Sequence, residues 1–313
     1  MPVILDSGAF SAWSKNTEID LDAYIDYALS HLDTYDYVVN LDVIPASPGQ
    51  KKIPRDEIER SAGQGWANWE KMVSKGIPPE RLIHVFHQNE NFSWLQKMVA
   101  NPDMPYIGLS PANDRSTSEK TKWLDDCMKH VLDKDGFPLV KWHGFAVTSI
   151  PLMRRYPWYS VDSSTWCVLA GLGTIMVPPK RKGAWDFVTR KALHVSVSAG
   201  MSGKDHYLNQ SPTVMANIQK YLSEIGYNIG KSEIIPVVDS YIPADNERIL
   251  TQRTLEGFPD FDPNQPHIER VLEAGVSNNY MFRYQVNAHY MNELQKTFPK
   301  WPWAYKRKSA SLF

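Results

Sequence analysis

Val3-Ile4-Leu5-Asp6-Ser7-Gly8-Ala9-Phe10-Ser11 is an apolar run that stops on a carboxylate, followed by small residues and one aromatic ring. No polar residue interrupts the run and a turn signal follows it, so it reads as a buried strand. Asp6 therefore stands where a strand leaves the core. Ser-Gly-Ala then lets the backbone pass close to whatever the carboxylate faces. The pattern returns in Val38-Val39-Asn40-Leu41-Asp42, in Ile83-His84-Val85-Phe86-His87-Gln88 and in Tyr159-Ser160-Val161-Asp162. Apolar runs that each end on a polar group, met in this order, are the main clue to function.

Helical stripes lie between these runs. Leu21, Tyr24, Ile25, Ala28, Leu29 and Leu32 share one face, as do Ile58, Ala62, Trp66, Trp69 and Val73. Further strands are predicted over 106–110 and 139–144, each followed by a helical segment. Regular alternation of strand and helix with short connections predicts βαβ units and a parallel sheet. Two later candidates, 174–177 and 193–198, bring the strands to the number that closes a (β/α)8 barrel. Polar groups at nearly every strand end suit the active face of such a barrel, whereas a doubly wound open sheet would gather them at one crevice. Such barrels use about 250 residues. The reading assigns 1–240 to the barrel and 241–313 to a helical extension packed on it. Residues 234–238 read as an extra strand or a replacement for one of the eight.

Composition leaves the function class open but trims it. With 42% apolar and 22% charged residues the chain is ordinary for a globular protein, and a net charge of −1 leaves any nucleic-acid contact to a local basic face. Only Cys127 and Cys167 are present, which excludes a disulfide framework and a four-cysteine zinc site and fits a reducing cytoplasm. No basic segment precedes a long apolar run, so no signal peptide is expected, and no run approaches the roughly 20 residues of a membrane span.

On a parallel barrel Asp6, Asp42, Gln88, Gly108, His143, Gly144 and Asp162 would ring one pocket. Crowded carboxylates raise one another's pKa. They serve as nucleophile, as acid or base, and as acceptors for N–H groups such as those on a purine edge. A plainer account stands beside this one, because an Asp after a strand is often a helix cap or turn former. His84 falls among core-facing positions and reads as structural; for His87 and His143 both readings stay open. Cys127 sits in a helical apolar stripe and reads as core.

The ordered set resembles the tRNA-guanine transglycosylase family, over roughly residues 1–166. Asp6-Ser7-Gly8-Ala9-Phe10 resembles that family's Asp-Ser-Gly-Gly-Phe motif, Asp42-Val43-Ile44-Pro45 its base-binding aspartate segment, and Phe86-His87-Gln88 the segment of its recognition glutamine. Gly108-Leu109, His143-Gly144 and Val161-Asp162 fall where the family has its base-contacting glycine, its pocket wall and its nucleophile. The whole chain is similar to phage-type DNA-guanine transglycosylases through 6–13, Ser110-Pro111-Ala112-Asn113-Asp114-Arg115 and 155–163.

The resemblance implies exchange of guanine in DNA, or in tRNA as the alternative, for a 7-deazaguanine, with no cofactor. It implies Asp162 as nucleophile and Asp6 as acid and base. Phe10 and the His143-Gly144 pair would hold the base between them, and Asp42, Gln88 and the Gly108 N–H would read its edge. Two departures matter. The tRNA enzymes have strands before the first motif, so closure here would use the later candidates in a circularly permuted order. Their zinc-binding cysteines are absent, so no structural metal is expected. Phosphate contact falls to Lys180, Arg181 and Lys182, with Arg190 and Lys191 nearby, or to Lys306 and Arg307 beside Trp301, Trp303 and Tyr305; an ordinary solvated face is the plain alternative for each. A metal-dependent barrel hydrolase is the rival chemistry, using His84, His87, His143 and the aspartates.

Overall fold

The computed structural model describes residues 2–45, 50, 53–112, 114–147, 149–198, 204–250 and 265–306. The chain divides into two compact units, 1–163 with 299–313, and 164–298. The division falls after the sixth strand rather than after residue 240.

The first unit is a six-stranded parallel sheet in sequential order. Its strands are β1 (Ile4–Leu5), β2 (Tyr37–Val39), β3 (Leu82–His87), β4 (Tyr106–Ser110), β5 (Lys141–Gly144) and β6 (Ser160–Val161). The crossovers carry α1 (Ala9–Lys15), α2 (Leu21–Ser30), α3 (Arg55–Ser74), α4 (Phe92–Ala100), α5 (Thr117–Val131) and α6 (Ile150–Arg155). β3 is buried on both faces from Leu82 to Phe86, as a central parallel strand must be. The sheet is strongly curled. Lys141 Nζ of β5 reaches Tyr37 Oη of β2 at 3.3 Å, although three strand spacings of about 4.8 Å would separate them in a flat sheet.

Local chemistry explains the helices. Ser116 and Glu119 form a reciprocal capping box that opens α5, and Trp123, Leu124, Cys127, Met128 and Val131 make its buried stripe. Cys127 is core, as expected. Residues 299–306 return to this unit as a strap. Trp301 Nε1 donates to the Pro157 carbonyl at 3.1 Å, and Tyr305 N–H to that of Gly136 at 2.8 Å. Tyr305 also stacks on Tyr156 and donates its hydroxyl to Asp125 at 2.8 Å. Asp125 already accepts both Arg155 Nε and Nη2, so Arg155 is committed to structure.

The second unit comprises α7 (Thr165–Gly171), β7 (Thr174–Val177), β8 (Lys180–Arg181), β9 (Ala184–Trp185), β10 (Leu193–Ser196), α8 (Pro212–Glu224), β11 (Lys231–Pro236), β12 (Glu247–Leu250), β13 (His267–Glu273) and α9 (Tyr280–Lys296). Ile175, Val177, Val195, Ile218, Tyr221, Leu222, Val276 and Val286 are among its core residues. Here two expectations are corrected. The candidates for strands seven and eight do form, as β7 and β10, but they pair antiparallel with each other in a sheet of their own, so they do not complete a parallel eight-strand barrel. The segment expected to be a helical extension contains β12 and β13, which pair antiparallel with each other, β13 also with β11; among the described residues there, α9 is the long helix. β13 buries Glu269 against Arg248, a neutralisation that local sequence does not announce. α9 is fastened by polar side chains: Asn287 accepts from Met176 N–H at 2.7 Å and donates to the Trp166 and Thr174 carbonyls.

Candidate active site

Parallel strands send all their C-terminal ends to one edge, and that edge carries the polar groups of the first unit. Asp6 follows β1, Asp42 lies just past β2, His87 ends β3, His143 stands in β5 and Asp162 follows β6. The curl draws the two ends of the row together, so that Asp6 feels the charges of both Asp42 and Asp162.

Asp42 is internally paired. His87 Nε2 lies 2.7 Å from Asp42 Oδ2, with both side chains about nine-tenths buried, and Ser7 Oγ donates to Oδ1 at 3.3 Å. Burial acts most strongly on His87 and against its charge, but the Asp42 bond, the Asp42 charge and Glu90 outweigh it and raise its pKa. Glu90 is itself buried, and burial pushes its pKa up to about 7. Its Oε2 has no hydrogen-bond partner among the described residues.

Asp6 and Asp162 respond to the same edge in opposite senses. The Asp6 side chain is open to water on one side and crowded by protein on the others. That crowding raises its pKa, the Asp42 and Asp162 charges add to the rise, and the N–H groups of Ser7 and Gly8 oppose it. Crowding is also the largest influence on Asp162, but it is outweighed: His143 Nε2 at 3.4 Å and the Ala146 N–H at 2.8 Å from Oδ1 lower its pKa. One carboxyl is biased toward keeping its proton and its neighbour toward losing it, an arrangement that separates acid from nucleophile.

The remaining expected residues are distributed as follows. Phe10 is exposed on α1, beside Trp13. Gln88 is half-buried and its Oε1 accepts from Ala112 N–H at 3.0 Å. Gly108 is covered: a Cβ there would lie 2.3 Å from Phe145 Cε2. His143, expected to flank the base, is 2% exposed and edge-on to Phe145. The half-exposed ring on this face is Phe145. Gly144 points away from the carboxylates, against Val147, Trp158 and Val161. His84 is structural, as read: it is buried, its Nδ1 lies 2.8 Å from Asn40 Nδ2, and burial lowers its pKa to about 3. Among the described residues no three His, Cys, Asp or Glu side chains are grouped as a metal-ligand set.

Lys180, Arg181 and Lys182 are exposed on the β8–β9 hairpin of the second unit, whose turn uses positive φ at Lys182 and Gly183. Lys306 is exposed in the first unit; Arg307 lies outside the described residues. A cavity of about 750 Å³ opens at the other end of the sheet, lined by Tyr37, Arg81, Lys141 and Tyr159 among others. Asp36 and Glu80 also line it. No helix among the described residues is long and apolar enough to cross a membrane.

Sequence reasoning missed Glu90, Phe145, Tyr106 and Ser160. Ser160 was legible: counting in twos along a strand, it shares a face with Asp162. Glu90 lies past the turn at Asn89, and nothing local marks it as buried. No protein-family model matches the chain, and no curated protein matches it significantly.

Proposed function

We propose that the protein exchanges guanine in DNA for a 7-deazaguanine such as 7-cyano-7-deazaguanine, through a covalent glycosyl-aspartate. The observation that carries this is the opposite bias of Asp6 and Asp162 within one another's field. Asp162 attacks the sugar C1′ as the bond to guanine N9 breaks, and the electron pair leaves with N9. Asp6 gives that nitrogen its proton. The incoming base then loses its N9 proton to Asp6 and attacks C1′, which frees Asp162. This is retaining glycoside chemistry with a base as acceptor, and it needs no cofactor or energy source.

The target nucleotide must leave the base stack to reach the carboxylates. Asp42 and Gln88 suit the edge of a guanine as acceptors: Asp42 faces His87 Nε2 at 2.7 Å and accepts from Ser7 Oγ, Gln88 accepts from Ala112 N–H, and the base would take the place of those partners. Phe10 and Phe145 offer aromatic surface for stacking. Six parallel strands of (β/α)8 type are the part of the barrel architecture that this chemistry uses, since Asp6, Asp42, Gln88 and Asp162 all follow their C-terminal ends. The hairpin cations Lys180, Arg181 and Lys182 and the terminal Lys306 are the proposed phosphate contacts, and a reducing cytoplasm is the proposed setting. The test is incubation with labelled guanine and either DNA or tRNA. Label is expected in DNA and absent with Asp162→Asn, which still binds DNA. Label in tRNA alone overturns the substrate, and full exchange by Asp162→Asn overturns the nucleophile.

A further inference from the structure

Tyr106 and Ser160 take part in no step of the exchange, yet they are strung to its nucleophile. Tyr106 Oη lies 2.5 Å from Ser160 Oγ, and Ser160 Oγ lies 2.5 Å from His143 Nδ1. His143 Nε2 in turn lies 3.4 Å from Asp162 Oδ1. Neighbouring strands fix the spacing, because Ser160 pairs directly with His143 in the ladder between β5 and β6. Tyr106 and His143 are only 1% and 2% exposed, so neither ring is free to turn away.

With a neutral His143, donors and acceptors along this chain run in one direction. An ionised carboxylate only accepts, so the Nε2 that faces Asp162 carries a proton. In a neutral imidazole Nδ1 is then an acceptor, and the Ser160 hydroxyl must donate to it. Ser160 has no second proton, so Tyr106 donates to Ser160. We propose that Tyr106 and Ser160 are positioning residues that hold His143 in its Nε2–H tautomer and, through it, aim Asp162 at the sugar carbon. The proposal rests on the reading of Asp162 as nucleophile. His143 and the Ala146 N–H both take Oδ1, which leaves Oδ2 to form the bond to C1′. Among the described residues, Asp6 after β1 and Tyr106 in β4 also feel the Asp162 charge, and neither is seen to donate to it.

The test is NMR of the full chain labelled with 15N-histidine and 13C-aspartate, without substrate, in the wild type, Ser160→Ala, Ser160→Thr and Tyr106→Phe. The wild type is expected to show His143 protonated at Nε2 and bare at Nδ1. Ser160→Ala is expected to lose that preference and to move the Asp162 titration up, toward the ordinary carboxylate range; Ser160→Thr restores both. In the exchange assay kcat of Ser160→Ala falls about tenfold, the loss of one hydrogen bond to a charged system. KM for the base holds, and the acidic limb of kcat moves to higher pH. A proton on Nδ1 in the wild type, or an Asp162 titration indifferent to Ser160→Ala, overturns the proposal. So does a variant that only melts earlier with its acidic limb unmoved. If Ser160→Ala does not fold, the wild-type tautomer and Tyr106→Phe decide. The NMR arms need no base exchange, so a wild type that labels no polymer rejects the proposed function separately.

Discussion

Asp6 and Asp162 begin with the same intrinsic acidity and part company through their neighbours. Asp6 has two carboxylates for company, whereas Asp162 has two donors on one oxygen. Replacing Asp42 with Asn removes one of the charges that keep the proton on Asp6, so Asp6 titrates lower. In the proposed exchange the departure of guanine uses that proton, so activity is expected to fade as pH rises through the Asp6 pKa. The alkaline limb of kcat/KM is therefore expected to move to lower pH in Asp42→Asn, whatever happens to its height; a pH–rate profile decides it. Glu90 makes a different claim, on stability. Unfolded, it releases its proton near 4.5; folded, it holds it to about 7. The folded state binds more protons between those values, so stability falls as pH rises through that window. His87, also raised, slopes the same way, since its stabilisation is present at low pH and lost as pH rises through its folded pKa. The Glu90 share is about 3 kcal/mol at most. Glu90→Gln is expected to raise stability at pH 8 by about 1–3 kcal/mol and to leave it nearly unchanged at pH 4, read from urea midpoints.

At the scale of strands and helices, side-chain alternation sorts chemistry from packing. In β5 Lys141 and His143 face the concave side, while Gly144 faces the other way, against Val147, Trp158 and Val161. A Cβ on Gly144 would sit 2.8 Å from Val147 and 3.1 Å from Trp158 and Val161. Gly144→Ala is expected to cost about 1–3 kcal/mol by overpacking, measurable as a lower melting temperature. Gly108 is the contrasting case, because what a Cβ there would meet is the partly buried Phe145 ring alone. The same alternation explains what the sequence discloses. Apolar runs cut off by Asp6, Asp42, His87 and Asp162 mark where strands end, and parallel pairing needs only helices of ordinary length between them. The stripes of α2, α3 and α5 are equally plain. The direction in which β7 and β10 pair is not, since both are short apolar runs that satisfy either geometry. β13 hides for another reason: its His, Glu and Arg residues look solvated until Arg248 and Glu247 arrive from β12 to neutralise them. Buried Glu90 and the covering Phe145 depend on what packs over them, which no local pattern encodes.

At the scale of the whole chain, the first unit is discontinuous. Its sheet is complete by residue 163, but its covering around Asp125, Tyr156 and Pro157 comes from the strap after residue 298. Tyr305→Phe removes one of the donors to Asp125 and is expected to cost about 1 kcal/mol. Tyr305→Ala also loses the stack on Tyr156 and is expected to cost about 2–3 kcal/mol. Chemical denaturation of both variants beside the wild type measures the difference. The strap also sets an order in time. A ribosome adds roughly 5–20 residues each second, and domains generally settle in the order they emerge. Here the uninterrupted segment 164–298 is fully synthesised before the first unit receives its last piece. The nascent sheet waits with Asp125 and Tyr156 still missing Tyr305.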